Sequence, residues 1–352
     1  MEVTFKDTDL TQDEKTVLGI IKELETRDKD PKTREITISE NLKISLTEEG
    51  IKRLKMISEA GVDSDTAINS LQAKSLVVHD GIELKLTKIG REIGQKIQSR
   101  QMSDWYNSNL LRCAQSKAYG LFCEKVFGKN LCQFNVLDMD QLETLISTLN
   151  LNSKDSVLDL GCGLGKVTEY IQMRTGVKAT GIDFAEQLIH WAKINTEEDK
   201  LNFRVMDIND LSFPHSSFTA IYAIDTLYPT NVVDLKGTIA KLKDFLKPNG
   251  QLGIFFAQII ESKEQRFLLE PNQTKMAQAL ETNNFSYSVI DFTQNARDIW
   301  EREISIGNEL QEMFQREGNL DLCEDRITDG KRCVHRIDNQ LQRRYYYHAT
   351  KV

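Results

Sequence analysis

The second half of the chain alternates between short apolar segments and longer segments in which apolar residues recur at helical spacing. Short apolar runs bounded by turn residues predict buried strands, and helical patterns between them predict the parallel sheet of an α/β fold. One strand ends just before Gly161 and the next ends at Asp183. The other predicted strands are 201–207, 218–224, 251–257, 285–292 and 343–348. Seven strands are therefore expected.

Residues 1 to about 100 follow another pattern, in which short helices precede a hairpin. Thr11 is placed to cap a first helix, and further helices are predicted at 49–60 and 65–74. Residues 76–86 alternate around a His-Asp-Gly turn and predict a hairpin, after which a closing helix begins. This order of elements resembles a winged helix-turn-helix.

These patterns divide the chain into three parts. They are a winged helix-turn-helix-like domain at 1–100, a helical linker or lid at 101–150 and an α/β domain at 151–352. The lid includes a helical stretch, 103–127, that is rich in aromatic residues. Between the last two strands, the charged and helix-forming segment 293–342 predicts a helical cap over the substrate cavity.

The turn after the first of these strands carries the candidate chemistry. It reads Asp159-Leu160-Gly161-Cys162-Gly163-Leu164-Gly165, and Asp183 follows twenty positions after Gly163. Glycines let the backbone approach a ligand closely, and an acid at the end of the next strand can accept ribose hydroxyl protons. A dinucleotide fingerprint needs a third glycine where this chain has Lys166, or Thr168 if the count starts at Gly163. The spacing therefore disfavours NAD.

This glycine-rich turn resembles motif I of the class I S-adenosylmethionine-dependent methyltransferases. Asp159 suits a cofactor that carries a sulfonium and an ammonium group, whereas it would repel a pyrophosphate. The resemblance continues with an acid after each of three further strands, and it covers roughly residues 105 to 352. It implies a Rossmann-like sheet of seven strands with an antiparallel last strand, and S-adenosylmethionine as the cofactor.

The resemblance also implies a role for each acid. Asp183 would accept the ribose hydroxyls and Asp207 the adenine amino group. Asp225 lies where members of the family touch both cofactor and substrate. The expected cofactor contacts are Gln133, Asp159, Gly161, Cys162, Gly163, Asp183, Phe184, Met206, Asp207, Ile208, Ile224 and Asp225. No metal site is expected.

Three residues are candidates for catalysis on the substrate side, namely Asp225, Tyr228 and Tyr119. Gln258, at the end of the fifth strand, is a further polar candidate because open α/β sheets place chemistry at strand ends. The related winged-helix O-methyltransferases use a histidine base near the fourth strand, and the segment 223–228 contains none. A nitrogen, carbon or carboxylate acceptor is therefore favoured.

Several of these residues also have a purely structural interpretation. Asp207 could cap a helix and Asp225 could be an exposed turn residue. Tyr119 could pack in the core against Leu142 and Leu145, since aromatic residues at helical spacing usually do so. Trp300 could line the cavity or only pack between cap helices, and Cys162 is expected as a pocket wall rather than a nucleophile.

Charge bears on the partners of the chain. The 352 residues carry a net charge of −8, which disfavours nonspecific binding to nucleic acid. Residues 1–100 contain 17 Lys and Arg against 19 Asp and Glu, and the helix expected at 65–74 contributes a single cation, Lys74. This charge balance disfavours DNA binding, because phosphate contacts supply most of the affinity in such domains. Homodimerisation through this domain, or a contribution to the substrate cavity, is favoured.

Composition argues against a membrane protein and against a metal centre. No apolar stretch approaches the roughly 18 residues that span a bilayer, and the N-terminus is acidic rather than a basic leader. A cytoplasmic location is expected. The six cysteines lack zinc-ligand spacing and are expected as reduced thiols. Three of them, Cys113, Cys123 and Cys132, leave open a metalloid acceptor of the kind that arsenic-methylating relatives bind.

The sequence thus predicts an enzyme that transfers a methyl group from S-adenosylmethionine to a small molecule. Two other interpretations stay open. A winged-helix regulator that only senses the cofactor predicts DNA binding that changes with S-adenosylmethionine. A noncatalytic partner subunit predicts cofactor binding without turnover and dependence on a second protein.

Overall fold

A computed structural model gives the fold of the chain. It describes residues 9–26, 34–39, 42–46, 61, 63–79, 84–196, 199–228, 232 and 234–352, and the structural statements below concern these residues. The chain divides into two compact units, Met1–Met102 and Ser103–Val352. We call them the N-terminal unit and the C-terminal unit.

The N-terminal unit combines helices with two antiparallel strand pairs. Its described elements are α1 (Gln12–Thr26), β1 (Arg34–Ser39), β2 (Leu42–Leu46), α2 (Ser64–Ala73), β3 (Val77–His79), β4 (Leu84–Leu86) and the first part of α3 (Lys88–Gln115). β1 pairs with β2, and β3 pairs with β4. The hairpin expected at 76–86 is present, whereas the sequence pattern did not indicate β1 and β2. The helix predicted at 49–60 lies outside the described residues.

Helix α1 begins at the expected place because Thr11 and Glu14 cap it reciprocally. The Thr11 hydroxyl accepts the Glu14 N–H at 3.2 Å, and the Glu14 carboxylate accepts the Thr11 N–H at 2.8 Å. A capping box of this kind satisfies two backbone donors of the first turn. Lys74, at the end of α2, forms an ion pair with the same carboxylate at 2.7 Å. Leu18 of α1 and Ile68 of α2 are fully buried in a shared apolar cluster.

Helix α3 is continuous over 28 residues. Both the division between the units and the domain boundary predicted at residue 100 fall inside it. The helix ends just before Ser116, whose hydroxyl accepts the Tyr119 N–H at 2.9 Å and caps the next helix. The helical stretch predicted at 103–127 is therefore two helices rather than one.

The C-terminal unit contains the sheet expected from the sequence. Its helices are the second part of α3, α4 (Lys117–Phe127), α5 (Met139–Leu149), α6 (Lys166–Thr175), α7 (Glu186–Ile194), α8 (Leu235–Phe245), α9 (Lys275–Thr282), α10 (Thr293–Arg316) and α11 (Leu320–Asp338). Its strands are β5 (Ser156–Leu160), β6 (Lys178–Asp183), β7 (Leu201–Val205), β8 (Phe218–Ile224), β9 (Leu246–Ile259), β10 (Phe285–Asp291) and β11 (Gln342–Lys351). Two 3₁₀ helices lie at Ile208–Asp210 and Lys263–Leu269.

The seven strands form one sheet in the order β10-β11-β9-β8-β5-β6-β7. The pairs β9–β8, β8–β5, β5–β6 and β6–β7 are parallel, whereas β11 is antiparallel to both β9 and β10. The expected Rossmann-like sheet with an antiparallel last strand is confirmed. From β5 the chain proceeds outward through β6 and β7, and it then returns to the other side with β8. Open α/β sheets bind ligands at the carboxyl ends of the strands beside such a reversal.

Apolar residues on both faces of the sheet pack against helices. Ile221 and Ala223 of β8 contribute to a cluster with α8 and α9, whereas Ala220, Tyr222 and Ile224 contribute to a cluster with α5 and α6. This alternation follows from the two-residue period of a strand. A sheet buried on both faces leaves its strand ends as the place for a ligand. No helix in the described part of the chain has the length and apolar character to cross a bilayer.

Candidate active site

The turn after β5 brings three glycines against neighbouring elements. Gly161, Gly163 and Gly165 have φ values of 77°, 52° and 73°, which favour glycine. A Cβ on Gly161 would lie 2.6 Å from the Thr226 hydroxyl, and one on Gly165 would lie 2.6 Å from the Phe203 ring. A Cβ on Gly163 would meet only a Leu110 methyl group, at 3.5 Å. Gly163 is thus less crowded than the other two glycines, and the Leu110 side chain lies over it.

Asp183 ends β6 directly beside this turn. One carboxylate oxygen accepts the Gly163 N–H at 2.9 Å, and the other accepts the Ala185 N–H at 2.9 Å. Burial raises the pKa of the Asp183 carboxyl above its ordinary value. A carboxylate has about four acceptor positions, so two remain for other donors. This geometry fits a vicinal diol, which is the part of S-adenosylmethionine that the sequence assigned to Asp183.

The Asp159 side chain is buried inside the C-terminal unit. Its carboxylate accepts the hydroxyl of Thr168, on α6, at 2.6 Å. Burial raises the pKa of the Asp159 carboxyl to about 7. This arrangement fixes the first turn of α6 behind the glycines. The cofactor contact assigned to Asp159 stays a prediction, as does the contact assigned to Cys162, whose thiol pKa is raised by burial.

The second half of α3 lies over the strand ends. The Asn107 side-chain oxygen accepts the N–H groups of Gln187 and Leu188 at 3.1 and 3.3 Å, which caps the start of α7. One turn earlier, the Ser103 hydroxyl donates to the Phe184 carbonyl at 3.4 Å. Leu110 packs on Leu164 of the glycine turn. Residues 103, 107 and 110 share one helical face, and that face covers the glycine turn and the residues after Asp183.

Asp207 follows the third parallel strand, which ends at Val205, two residues earlier than predicted. The Asp207 carboxylate accepts the Asn209 N–H at 2.8 Å and caps the 3₁₀ helix Ile208–Asp210. This is the capping role that the sequence left open. Met206 and Ile208 are partly buried on either side of Asp207, and the adenine contacts assigned to these three residues stay a prediction.

Asp225 directly follows β8 and lies at the centre of a polar cluster. It has a φ of 54°, which is uncommon for a residue with a side chain. Its carboxylate accepts the Tyr228 hydroxyl at 2.5 Å and the Val136 N–H at 3.2 Å. It also forms an ion pair with Arg344 of β11, whose side chain is 2% exposed. The Arg344 Nε atom donates to the Gln141 side chain at 3.0 Å. The Asp225 carboxylate therefore has three partners, one of which is itself held by Gln141.

This cluster changes how the candidate catalytic residues can act. The Asp225 carboxylate is already engaged by Arg344, the Tyr228 hydroxyl and the Val136 N–H, which leaves it few positions for a substrate proton. Burial, followed by the charge of Asp225, raises the pKa of Tyr228 far above its ordinary value, so the phenol stays protonated. Tyr228 is therefore not a base at neutral pH. The catalytic roles assigned to both residues stay predictions, and the geometry favours orientation of a ligand over proton removal.

The sequence did not single out Arg344 or Gln141 as site residues. Arg344 follows Gln342 and Arg343 and precedes three tyrosines, in a strand that pairs on both sides. A fully buried charged residue almost always has a buried partner. The sequence did not distinguish Arg344 from the neighbouring Arg343, and it could not name Asp225 as the partner because the two strands are far apart along the chain.

Tyr119 and Gln133 are fully committed to internal contacts. The Tyr119 side chain is fully buried, and its hydroxyl donates to the Gln133 carbonyl at 2.8 Å. The Gln133 side chain accepts the Leu131 N–H at 2.8 Å and donates to the Lys129 carbonyl at 3.2 Å. Tyr119 packs with Phe314 of α10 rather than with Leu142 and Leu145, which belong to a different cluster. A ligand contact from either residue stays a prediction.

The cap contains a second buried ion pair. Arg326 of α11 pairs with Glu303 of α10 at 2.6 Å, and the Arg326 guanidinium lies over the rings of Phe134 and Trp300. Trp300 is thus part of the cap core, as its structural interpretation held.

At the end of β9, the Gln258 side chain accepts the Lys275 N–H at 2.9 Å and donates to the Ile259 carbonyl at 2.9 Å. In this structure the Trp300 ring therefore packs in the cap core, and the Gln258 side chain bonds to the backbone.

The described residues contain no group of three His, Cys, Asp or Glu side chains that could hold a metal ion. All six cysteines are free thiols, and burial raises the pKa of Cys113, Cys123 and Cys132. Thiols with raised pKa values are poor soft-metal ligands, which weakens the metalloid alternative. His348 lies in β11 and contacts Gln251 at 2.6 Å, away from Asp225.

Part of this sheet matches a family of known proteins. Residues 157–250 match the protein family described as "Methyltransferase domain". Phosphoethanolamine N-methyltransferase of Plasmodium falciparum is 26% identical over 250 residues, which are 65% of this chain and 90% of that protein. A sterol 24-C-methyltransferase of Gibberella zeae is 30% identical over 138 residues, but the chain spans only 35% of its length.

A solved structure agrees with the fold. Phosphoethanolamine N-methyltransferase 2 of Haemonchus contortus, in complex with phosphomonomethylethanolamine and S-adenosylhomocysteine, has a TM-score of 0.55 and 16% identity to this chain. The match covers 66% of this chain and 57% of that chain. At this identity the likeness concerns the fold.

Proposed function

We propose that this chain, an S-adenosylmethionine-dependent methyltransferase, transfers the methyl group to the nitrogen of a small-molecule amine. The observation that carries the proposal is the state of the two polar residues at the end of β8. Asp225 is paired with Arg344, and Tyr228 donates to Asp225. The site therefore holds a fixed polar surface without a strong base.

The choice of acceptor follows from the proton that each acceptor class must lose. A phenol or a carbon acid usually needs a general base in the transition state. An amine needs only to lose a proton from its ammonium form before transfer, because its lone pair is already the nucleophile. At the end of β8, Asp225 and Tyr228 are engaged with each other and with Arg344, and the segment 223–228 contains no histidine, which favours an amine. Sterol C-methylation by one relative keeps carbon as the competing class.

The cofactor site fits the same proposal. S-adenosylmethionine, when bound, supplies a methyl group on a sulfonium that leaves as a neutral thioether. The Asp183 carboxylate would accept the ribose hydroxyls beside the N–H groups of Gly163 and Ala185 that it already holds. The role of the chain is to align the acceptor nitrogen with that methyl group and to exclude water, and such positioning supplies several kcal/mol of the barrier.

We include three wider assignments in the proposal. The N-terminal unit is a winged-helix-like module that forms a homodimer or walls the substrate cavity; it does not bind DNA. Its paired helices α1 and α2 and its hairpin β3–β4 agree with that order of elements. The location is cytoplasmic, where the six free thiols would remain reduced. The substrate is a diffusible small molecule rather than a nucleic acid.

The proposal is tested by incubating the purified chain with isotopically labelled S-adenosylmethionine and a panel of acceptors. The panel contains small primary and secondary amines, among them phosphoethanolamine, and matched carboxylates, phenols and a sterol. We expect label in one or more amines, with a product heavier by one methylene group in mass spectrometry. Transfer only to carbon or oxygen acceptors would contradict the choice of nitrogen. Tight cofactor binding without transfer to any class would favour a noncatalytic role.

A further inference from the structure

Tyr106 of α3 occupies the space between the cofactor acid and the acceptor end of the site. Its ring packs edge-on against Phe184, with centroids 5.9 Å apart, and against Phe134 at 6.4 Å. Phe184 directly follows Asp183. Phe134 is two residues before Val136, whose N–H donates to Asp225. The phenol is thus held by two rings that adjoin the two acids of the site.

The helix that carries Tyr106 is fixed at this position. Ser103 and Asn107, one turn before and one residue after Tyr106, hydrogen-bond to the backbone around Phe184 and the start of α7. Leu110 continues the same face over the glycine turn. The orientation of Tyr106 therefore follows from contacts on both sides of it along α3, and it does not depend on its own hydroxyl.

The Tyr106 hydroxyl is the part of the side chain that packing leaves unused. The described residues offer it no hydrogen-bond partner, and the side chain is partly exposed. Burial, followed by the charges of Asp183, Asp225 and Asp329, raises the pKa of Tyr106 to about 12. The phenol is therefore protonated at neutral pH, and it lies where carboxylates from β6, β8 and α11 converge.

The charges around the phenol favour a cationic ligand. Asp225 forms an ion pair with Arg344, and Asp329 forms one with the exposed Arg332. Asp183 receives two backbone N–H groups and, within the described part of the chain, no cation. These carboxylates outnumber their cationic partners, since Arg326, which lies over the Phe134 ring, is itself paired with Glu303. The rings of Trp105, Tyr106 and Phe184 border the region. Aromatic faces and carboxylates together attract ammonium groups.

We infer that Tyr106 is a substrate-contacting residue, whose hydroxyl oxygen accepts an N–H of the amine and points the nitrogen lone pair towards the methyl group. This inference rests on the proposed function and names the residue that orients the acceptor. The step forms a bond between the nitrogen and the methyl carbon and breaks the bond between that carbon and sulfur, which keeps the electron pair. The proton that the ammonium form loses beforehand goes to water.

The test is Tyr106→Phe, which keeps the ring contacts and removes only the hydroxyl. The matched control is Tyr287→Phe on the edge strand β10, where the hydroxyl contacts Glu281 at 2.7 Å. With an amine that the parent chain methylates, we expect Tyr106→Phe to lower kcat/KM about tenfold, the loss expected for one hydrogen bond. S-adenosylhomocysteine affinity should stay within about twofold of the parent, and the control should match the parent in both.

The possible outcomes distinguish a failure of the inference from a failure of the proposed function. Equal kcat/KM for Tyr106→Phe and the parent would overturn the inference while leaving amine methylation intact. A loss of S-adenosylhomocysteine affinity as large as the loss of kcat/KM would also overturn it, because the hydroxyl would then contact the cofactor. If the parent methylates only carbon or oxygen acceptors, both the proposed function and the amine contact fail. Thermal unfolding of the variant, measured alongside, should match the parent because no hydrogen bond among the described residues is removed.

Discussion

Asp183→Asn should weaken S-adenosylmethionine binding by about 30-fold or more. The carboxylate can accept two ribose hydroxyls while it keeps the N–H groups of Gly163 and Ala185. An asparagine has one acceptor oxygen instead of two, so at least one charged hydrogen bond, of about 1.5–3 kcal/mol, is lost. Isothermal titration calorimetry of the parent and the variant measures the difference.

The control for this prediction is Asp298→Asn, which makes the same chemical change at an exposed position of α10. Its affinity should equal that of the parent. Truncation of Asp183 to alanine is a weaker test, because it also strips the acceptor from two backbone N–H groups and would disturb the glycine turn. Equal affinity for the parent and Asp183→Asn would remove Asp183 from the cofactor site.

Arg344→Met should lower the free energy of unfolding of the C-terminal unit by about 3–5 kcal/mol. The substitution leaves Asp225 as a buried charge without its partner, and breaking one side of a buried ion pair typically costs that amount. Arg344 is 2% exposed, so water cannot replace the lost cation. For a unit of this size the melting temperature should fall by about 10 °C, which calorimetry can measure.

The double variant Arg344→Met with Asp225→Asn separates the ion pair from simple packing. Removing both charges should recover most of the lost stability, since replacing a whole buried pair is often close to neutral. Tyr228 donates to one carboxylate oxygen and Val136 to the other, so the asparagine oxygen can keep one of these two hydrogen bonds. If the two single effects simply add in the double variant, the pair is not coupled and the cluster described here is wrong.

The sequence predicted the sheet well because strand patterns and the glycine turn are local. The strand at 218–224 has the observed bounds, and the acids fall at the ends of adjacent strands as expected. The predicted and observed ends of a strand differ where a side chain caps the following turn, as Asp207 does after β7. The strand β9 begins at Leu246, earlier than predicted, because residues 247–250 form an irregularity within the pairing of β8 and β9 rather than a turn before it.

The acceptor side was harder to predict because it is assembled from distant segments. Arg344 and Asp225 are 119 positions apart, and no local pattern relates them. Tyr106 and Tyr119 are both aromatic residues of the predicted lid, and the sequence favoured Tyr119. The break at Ser116 turns the helix of Tyr119 towards the cap core. The same break leaves Tyr106 on the helix that covers the strand ends, and spacing alone could not show this.

The central claim is that S-adenosylmethionine lies across the ends of β5, β6 and β7, with its ribose on Asp183. A crystal structure of the chain with S-adenosylhomocysteine tests it most directly. The account predicts both ribose hydroxyls within hydrogen-bond distance of the Asp183 carboxylate and the adenine between Met206 and Ile208. A cofactor bound elsewhere, or a cleft that stays filled by the Leu110 side chain over Gly163, would contradict it.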